Sequence, residues 1–291
     1  MSFWLHSSPI QPWLFSTRRL SRRRVSRPAP RVLTLSMHSS FATCSTRQTA
    51  LIIGATGQVG QHLLRELLAS SHFTRVTEAG RRVTPANKLP SAATSKLEQV
   101  VIDFENTEGL KQILSKEKQD VVFITLGTKA KLAGSPANFE KIDREYVVNA
   151  AKAARSTDPE HRQRIVYCSS GMSNPSSSAL YIRSKGLTEK ALADLGYSDC
   201  IIFNPGMLQN LHRDYSHTLE TILSRIASFL SYFTWRLGID VDALAKSMRI
   251  AGEFGTGALP FVAEASEKSW GGATFTTVGN RGAVRLSREP L

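Results

Sequence analysis

Leu51-Ile52-Ile53-Gly54-Ala55-Thr56-Gly57-Gln58-Val59-Gly60 is an apolar strand that runs into three glycines at three-residue spacing and opens directly into a helix. At Gly54 the chain must turn tightly, at Gly57 the backbone must come close to a pyrophosphate, and at Gly60 the helix must pack against the strand. A side chain would obstruct each point. The helix N-terminus then offers free N–H groups and a partial positive charge to a phosphate. Three glycines alone say little, so the context decides. Ala50 to Ile53 reads as a buried strand, and Val59, Leu63, Leu64, Leu67 and Leu68 recur at helical spacing. Gly54 through Gly60, with Ala55, Thr56, Gln58 and Val59 between the glycines, is therefore the candidate nucleotide-phosphate cradle.

Outward from the cradle, strands alternate with helices. Thr74 to Ala79 reads as a second strand, Gln99 to Phe104 as a third, Leu110 to Lys116 as a short helix and Val121 to Leu126 as a fourth strand. A helix from Phe139 to Ala154, a strand from Arg164 to Cys168, a helix from Leu180 to Leu195 and a strand from Cys200 to Phe203 follow. This alternation predicts an α/β fold with a doubly wound parallel sheet, Rossmann-like, as one domain over residues 49–291. From about residue 207 the pattern is less regular and reads as a small C-terminal substrate or lid region. Within it Leu219, Ile222, Leu223, Ile226, Phe229, Leu230 and Phe233 trace one helical face. Core or lid is the default reading of that stripe. A dimer face stays open, as does an interfacial membrane contact resting on Tyr232, Phe233 and Trp235 beside Arg236.

The charge is unevenly placed. Of the formal +13 on 291 residues, eight charges come from Arg18, Arg19, Arg22, Arg23, Arg24, Arg27, Arg31 and Arg47, with no acid before residue 49. The +5 left to the domain is ordinary for a soluble enzyme, so pI gives no support for nucleic-acid binding. Residues 1–48, rich in Arg and Ser and carrying Trp4, Leu5, Trp13, Leu14 and Phe15, have the composition of an organelle-targeting segment, mitochondrial in type. A disordered basic tail, or an extension upstream of an alternative start at Met37, is the blander reading. No window of about 18 uncharged apolar residues suggests a transmembrane helix. Cys44, Cys168 and Cys200 have no metal-ligand spacing, and no histidine pair does either; no metal is expected, and Cys168 and Cys200 read as buried thiols.

Tyr181 and Lys185 are four apart, on one helical face, after a strand that ends in Ser169-Ser170. A phenol with pKa near ~10 is a poor acid–base group at neutral pH, and a nearby ammonium stabilises its phenolate. The pair would lie at the carboxyl edge of the sheet, where such folds hold their ligands. A dinucleotide site of this kind also needs a group for the adenosine ribose about 20 residues beyond the cradle. That point is Gly80 followed by Arg81 and Arg82, and two guanidiniums favour a 2′-phosphate. Glu78 reads as a strand residue rather than a ribose ligand.

The cradle, Ser169-Ser170, Tyr181-x-x-x-Lys185 and Pro205-Gly206 together resemble an atypical member of the short-chain dehydrogenase/reductase superfamily over about residues 49 to 280. Gly80-Arg81-Arg82, Leu126-Gly127-Thr128, Ile142-Asp143-Arg144-Glu145-Tyr146-Val147 and Phe203-Asn204-Pro205-Gly206 are similar to the Tat-interacting oxidoreductase group and its fungal mitochondrial outer-membrane relatives. The resemblance implies NADPH across the sheet edge, Tyr181 as general acid, Lys185 on the nicotinamide ribose, and Ser170, with Ser169 as the alternative, holding a substrate carbonyl. It also implies Asp103 and Phe104 beside the adenine, and Leu126, Gly127 and Thr128 under the cofactor. Two departures bear on substrate placement: Asn204 stands where the family commonly has arginine, and the loop from Ser170 to Tyr181 is short. The expected function is an NADPH-dependent oxidoreductase acting on an unidentified carbonyl-type acceptor and associated peripherally with the mitochondrial outer membrane, with the cytosol as alternative location. The competing reading is an NADPH-binding regulatory adaptor that recruits a protein partner and turns over little.

Overall fold

A computed structural model describes residues 47–90, 95–128, 130–209 and 238–290. The arginine-rich targeting stretch, the apolar stripe from Leu219 to Phe233 and Cys44 lie outside these residues. Strand β1 (Gln48–Ile53) leads through the glycine turn into α1 (Gln58–Ala69), and β2 (Phe73–Gly80) follows. Next come β3 (Leu97–Val101), α2 (Thr107–Leu114) and β4 (Val121–Ile124). A short helix α3 (Ala130–Ala133) precedes α4 (Pro136–Glu140), a π-helical turn (Lys141–Glu145) and α5 (Tyr146–Ala154). Then follow β5 (Arg164–Cys168), α6 (Leu180–Ala193) and β6 (Asp199–Asn204). The remainder comprises β7 (Met207–Gln209), β8 (Gly238–Asp240), α7 (Val241–Phe254), β9 (Ser266–Trp270), β10 (Ala273–Gly279) and α8 (Asn280–Leu286).

The main sheet has the order β3-β2-β1-β4-β5-β6-β10-β9, all parallel except β9. Strand order reverses between β1 and β4, which opens a crevice above their carboxyl ends. Side chains alternate across each strand. Ala50 and Ile52 of β1 pack toward Leu63, Leu67, Leu244 and Met248 of α1 and α7, whereas Leu51 and Ile53 pack toward Leu110, Val147 and Ala151 of α2 and α5. Both faces are covered, so the central strands carry continuous apolar runs instead of alternating ones.

Three elements differ from the sequence reading. Phe104 does not extend β3, which ends at Val101; it sits in a turn where Asp103 Oδ1 accepts the Glu105 N–H (2.9 Å), and its ring is buried by stacking on Tyr146. The helix expected from Phe139 to Ala154 carries the π turn, whose extra residue directs Asp143 inward to complete burial. Beyond residue 207, residues 238–290 are regular: α7 covers α1, and β10 adds to the sheet beside β6. Cys200 is buried as expected, but Cys168, the last residue of β5, is only partly so. Burial nonetheless pushes its thiol up to about 11, far from a reactive thiolate. Among the described residues no helix is long and apolar enough to cross a membrane, and no group of three or more His, Cys, Asp or Glu is arranged to hold a metal.

Candidate functional site

Register aligns the carboxyl ends of the parallel strands. Ile53 is opposite Ile124 and Ala79, Ile124 opposite Tyr167, and Cys168 opposite Phe203. Gly54, Gly80, Thr125, Ser169 and Pro205 therefore emerge at one edge, which gathers the candidate site from segments far apart in sequence.

The cradle has the shape its glycines require. Gly54 has φ +95°, and a Cβ there would lie 2.6 Å from Leu126 N. At Gly60 a Cβ would run into Gly54 O and Thr125 Oγ1, so only glycine lets α1 start this close to β4. Gly57 N–H donates to Gly54 O (3.0 Å), and Thr125 Oγ1 donates to Gly54 O (3.1 Å), fixing the turn from below. Thr56, Gly57 and Gln58 are exposed at the tip, while Ala55 and Val59 are buried beneath it. No side chain among the described residues caps the N-terminus of α1. Its first N–H groups thus face solvent with the helix dipole behind them, a fit for a dinucleotide pyrophosphate.

Across the crevice, Tyr181 and Lys185 occupy successive turns at the start of α6. Tyr181 is 41% exposed, with its ring 6.0 Å from that of Phe139. Lys185 is 4% exposed, and its ammonium lies 3.1 Å from Asp143 Oδ1 and donates to Tyr167 OH (3.0 Å). Burial alone would lower the proton affinity of Lys185; the charges around it, Asp143 among them, outweigh this and hold it above its ordinary value. Burial also pushes the Tyr167 phenol far up, so Tyr167 is a neutral acceptor and Asp143 the counter-charge. Asp143 Oδ2 is buried with no hydrogen-bond partner among the described residues. Gly127 lies directly over the pair: a Cβ there would be 3.1 Å from Asp143 Oδ1 and 3.3 Å from Lys185 Nζ.

The serine loop rests on α6 through Gly186, where a Cβ would collide with the Asn174–Pro175 backbone. Asn174 N–H also donates to Ile182 O (3.1 Å), which ties the loop after Ser169-Ser170 to the first turns of α6. The two serines differ in what they do. Ser169 is buried and its hydroxyl donates to Glu189, which also accepts from Asn204 Nδ2 (2.8 Å). The Ser170 hydroxyl makes no hydrogen bond among the described residues, and the Ser170 carbonyl accepts from Asn204 (3.1 Å). Asn204 thus ties the serine loop to α6 and β6 without bringing a charge to Glu189, a network that the motif spacing did not disclose.

The other expected residues line the same edge. Arg81 and Arg82 are exposed just past β2. Glu78 is 1% exposed; its Oε1 accepts from Thr84 N and Oγ1 (both 2.8 Å) and its Oε2 from Gln99 Nε2 (2.7 Å), which leaves it a strand residue. Asp103 is exposed at its turn, and the stacked Phe104 is closed off by Tyr146, whose hydroxyl donates to Glu105. Leu126 and Thr128 flank Gly127, and Thr128 N–H points at Asp143 Oδ1 at 3.4 Å. Pro205 O accepts the Gly171 N–H (2.7 Å), and Gly206 N–H donates to Asn280 Oδ1 (2.8 Å), so the Pro205-Gly206 turn joins the serine loop to α8.

The fold agrees with comparisons to known proteins. A family model described as NAD(P)H-binding matches residues 54–221. Protein HTATIP2 from Rattus norvegicus is 32% identical over 161 residues, covering 55% of this chain and 63% of that protein. The mitochondrial protein fmp52-1 from Aspergillus terreus is 32% identical over 245 residues, covering 82% of this chain and 98% of that protein. In fold, a short-chain dehydrogenase/reductase from Saccharomyces cerevisiae superposes with a TM-score of 0.55 at 16% identity, over 72% of this chain and 93% of that one. With the cradle and the strand order in place, the chain belongs to the NAD(P)H-binding family and is a relative of HTATIP2 and the FMP52 proteins.

Proposed function

We propose that this chain is an NADPH-dependent oxidoreductase that reduces a carbonyl-type acceptor. The observation that carries the reading is Tyr181 standing one helical turn from a buried, ion-paired Lys185 at the edge that also holds the phosphate cradle. Bound NADPH would supply the hydride. The residues of the chain would do the rest: Gly54 to Gly60 and the α1 N-terminus hold the pyrophosphate, Ser170 donates to the acceptor oxygen, and Tyr181 delivers the proton to it. Lys185, held by Asp143 under Gly127, would bond a ribose hydroxyl lying across that glycine. Pro205 and Gly206 would close the floor on the β6 side.

Preference for NADPH is supported by Arg81 and Arg82, exposed beyond β2, and by Glu78, whose two carboxylate oxygens are already occupied. Arg81→Ala/Arg82→Ala in the full chain is expected to weaken NADPH binding by about 30-fold or more while leaving NADH within about threefold, by the loss of two charge-assisted contacts. A fluorescence titration of both nucleotides checks this. Equal weakening, or none, removes these arginines from the cofactor.

The mitochondrial location is supported by the arginine-rich, acid-free residues 1–48 and by the relatives that carry "mitochondrial" in their names. The full chain is expected in the mitochondrial fraction, on the outer surface and degraded by protease added to intact organelles. Protection from that protease would place it inside, and recovery in the cytosolic fraction would defeat the assignment.

A further inference from the structure

A small cavity of about 70 Å³ adjoins the cradle on the α1 side. Thr56, Gln61 and Arg65 line it from the cradle and α1, and Thr84, Pro85 and Lys88 from the segment after β2. Two cations therefore face one space from different elements. No acidic side chain lines it, and neither Arg65 nor Lys88 forms a salt bridge among the described residues. Like charges sharing a cavity raise its potential and favour an anion between them.

The fold holds Lys88 there for a reason that begins in β2. The buried Glu78 takes both the N–H and the hydroxyl of Thr84, and Gln99 Nε2 bonds both Glu78 Oε2 and the Thr84 carbonyl (both 2.7 Å). These bonds anchor the chain at Thr84, and the single 3-10 turn Ala86–Lys88 follows directly. In a sheet of this kind the adenosine ribose lies at the end of β2, next to the cradle. The cavity touches both through Thr84 and Thr56. Arg81 leaves β2 on the other flank, close enough to Tyr146 for its charge to act on that phenol.

We propose that Arg65 and Lys88, with the exposed Thr56 hydroxyl, form a second cationic wall for a phosphate on the adenosine 2′-oxygen, opposite the Arg81 flank, and that they set the choice between phosphorylated and unphosphorylated dinucleotides. The inference rests on the NADPH reading above and extends it to residues outside the family motifs. The ligand recognised is the 2′-phosphomonoester, whether on an intact dinucleotide or on an adenosine fragment.

The test uses the full chain with Arg65→Ala, Lys88→Ala and the double variant. Both side chains are exposed, and unchanged melting temperatures establish that the variants fold. Dissociation constants are measured for NADPH against NADH, and for 2′,5′-ADP against ADP. Each single substitution is expected to weaken NADPH and 2′,5′-ADP by about 5- to 10-fold, with NADH and ADP within about twofold. Unchanged NADPH affinity, or parallel weakening of all four ligands, overturns the inference. If the wild-type chain prefers NADPH and only Arg81→Ala/Arg82→Ala abolishes that preference, the inference falls while the NADPH reading stands. If the wild-type chain shows no preference for NADPH, the parent reading has failed and the inference with it.

Discussion

Tyr181→Phe is expected to lower carbonyl reduction by at least about 100-fold while NADPH binds with nearly unchanged affinity. The size follows from the loss of a positioned proton donor, worth roughly 10²- to 10⁴-fold in rate. The selectivity follows from geometry. Tyr181 contributes a ring that packs 6.0 Å from Phe139, and phenylalanine keeps that ring while deleting only the hydroxyl. The cradle and the Asp143–Lys185 pair are untouched by the change. The measurement is NADPH oxidation under saturating nucleotide with a panel of aldehydes and ketones, beside a binding titration on the same preparation. Turnover equal to wild type would remove Tyr181 as the acid. NADPH binding by the wild-type chain without turnover on any carbonyl would favour the adaptor reading, in which the dinucleotide orders a surface for a partner protein.

Asp143→Leu is expected to cost about 3 to 5 kcal/mol of stability, because it leaves the Lys185 ammonium buried without its counter-charge. For a domain of this size that is a fall in melting temperature of roughly 10 °C. The double variant Asp143→Leu/Lys185→Met removes both charges and should recover most of the loss. Thermal or denaturant unfolding of the two single variants and the double completes the cycle; additive losses would show that the pair does not interact as its 3.1 Å separation implies. The direction of the pH dependence follows from the raised proton affinity of Lys185. A group that holds its proton more tightly when folded gives its full stabilisation below its unfolded pKa, about 10.4, and loses it only as pH rises through the higher folded value. The contribution of the pair is therefore flat across the neutral range.

Local patterns in the sequence carried the cradle, the strand alternation and the Tyr181–Lys185 spacing. Each rests on residues within one or two helical turns of one another, so periodicity and glycine placement suffice to see them. What escaped depends on contacts between distant segments. Asp143 reads as one position in an ordinary helix until the π turn rotates it toward Lys185, 42 residues on. Ser169 and Ser170 are indistinguishable by spacing, and only the Glu189 side chain, 20 residues beyond Ser169, separates their hydroxyls. Phe104 has the apolarity of a strand residue, but that apolarity is spent on Tyr146 from a turn. Strand β10 was missed because Ala273 to Gly279 mixes threonines with Phe275 and Val278, a pattern that becomes a sheet strand only once β6 and β9 flank it.

That position of β10 has a consequence for how the protein is made. Its parallel partner β6 ends at Asn204, and β10 begins at Ala273, so the ribosome adds nearly 70 residues between the two halves of this pairing. Throughout that interval the nascent sheet presents the apolar Cys200 to Phe203 edge with its backbone groups unpaired. Exposed edges of this kind recruit strands from other chains. Closure arrives together with β9, whose five residues are exposed and include Glu267 and Lys268, charges that discourage further pairing once the sheet is complete. A chain cut short before Ala273 would keep the cradle and the Tyr181–Lys185 pair in its sequence and still be prone to aggregate, so loss of the protein from a cell can originate far from its chemistry.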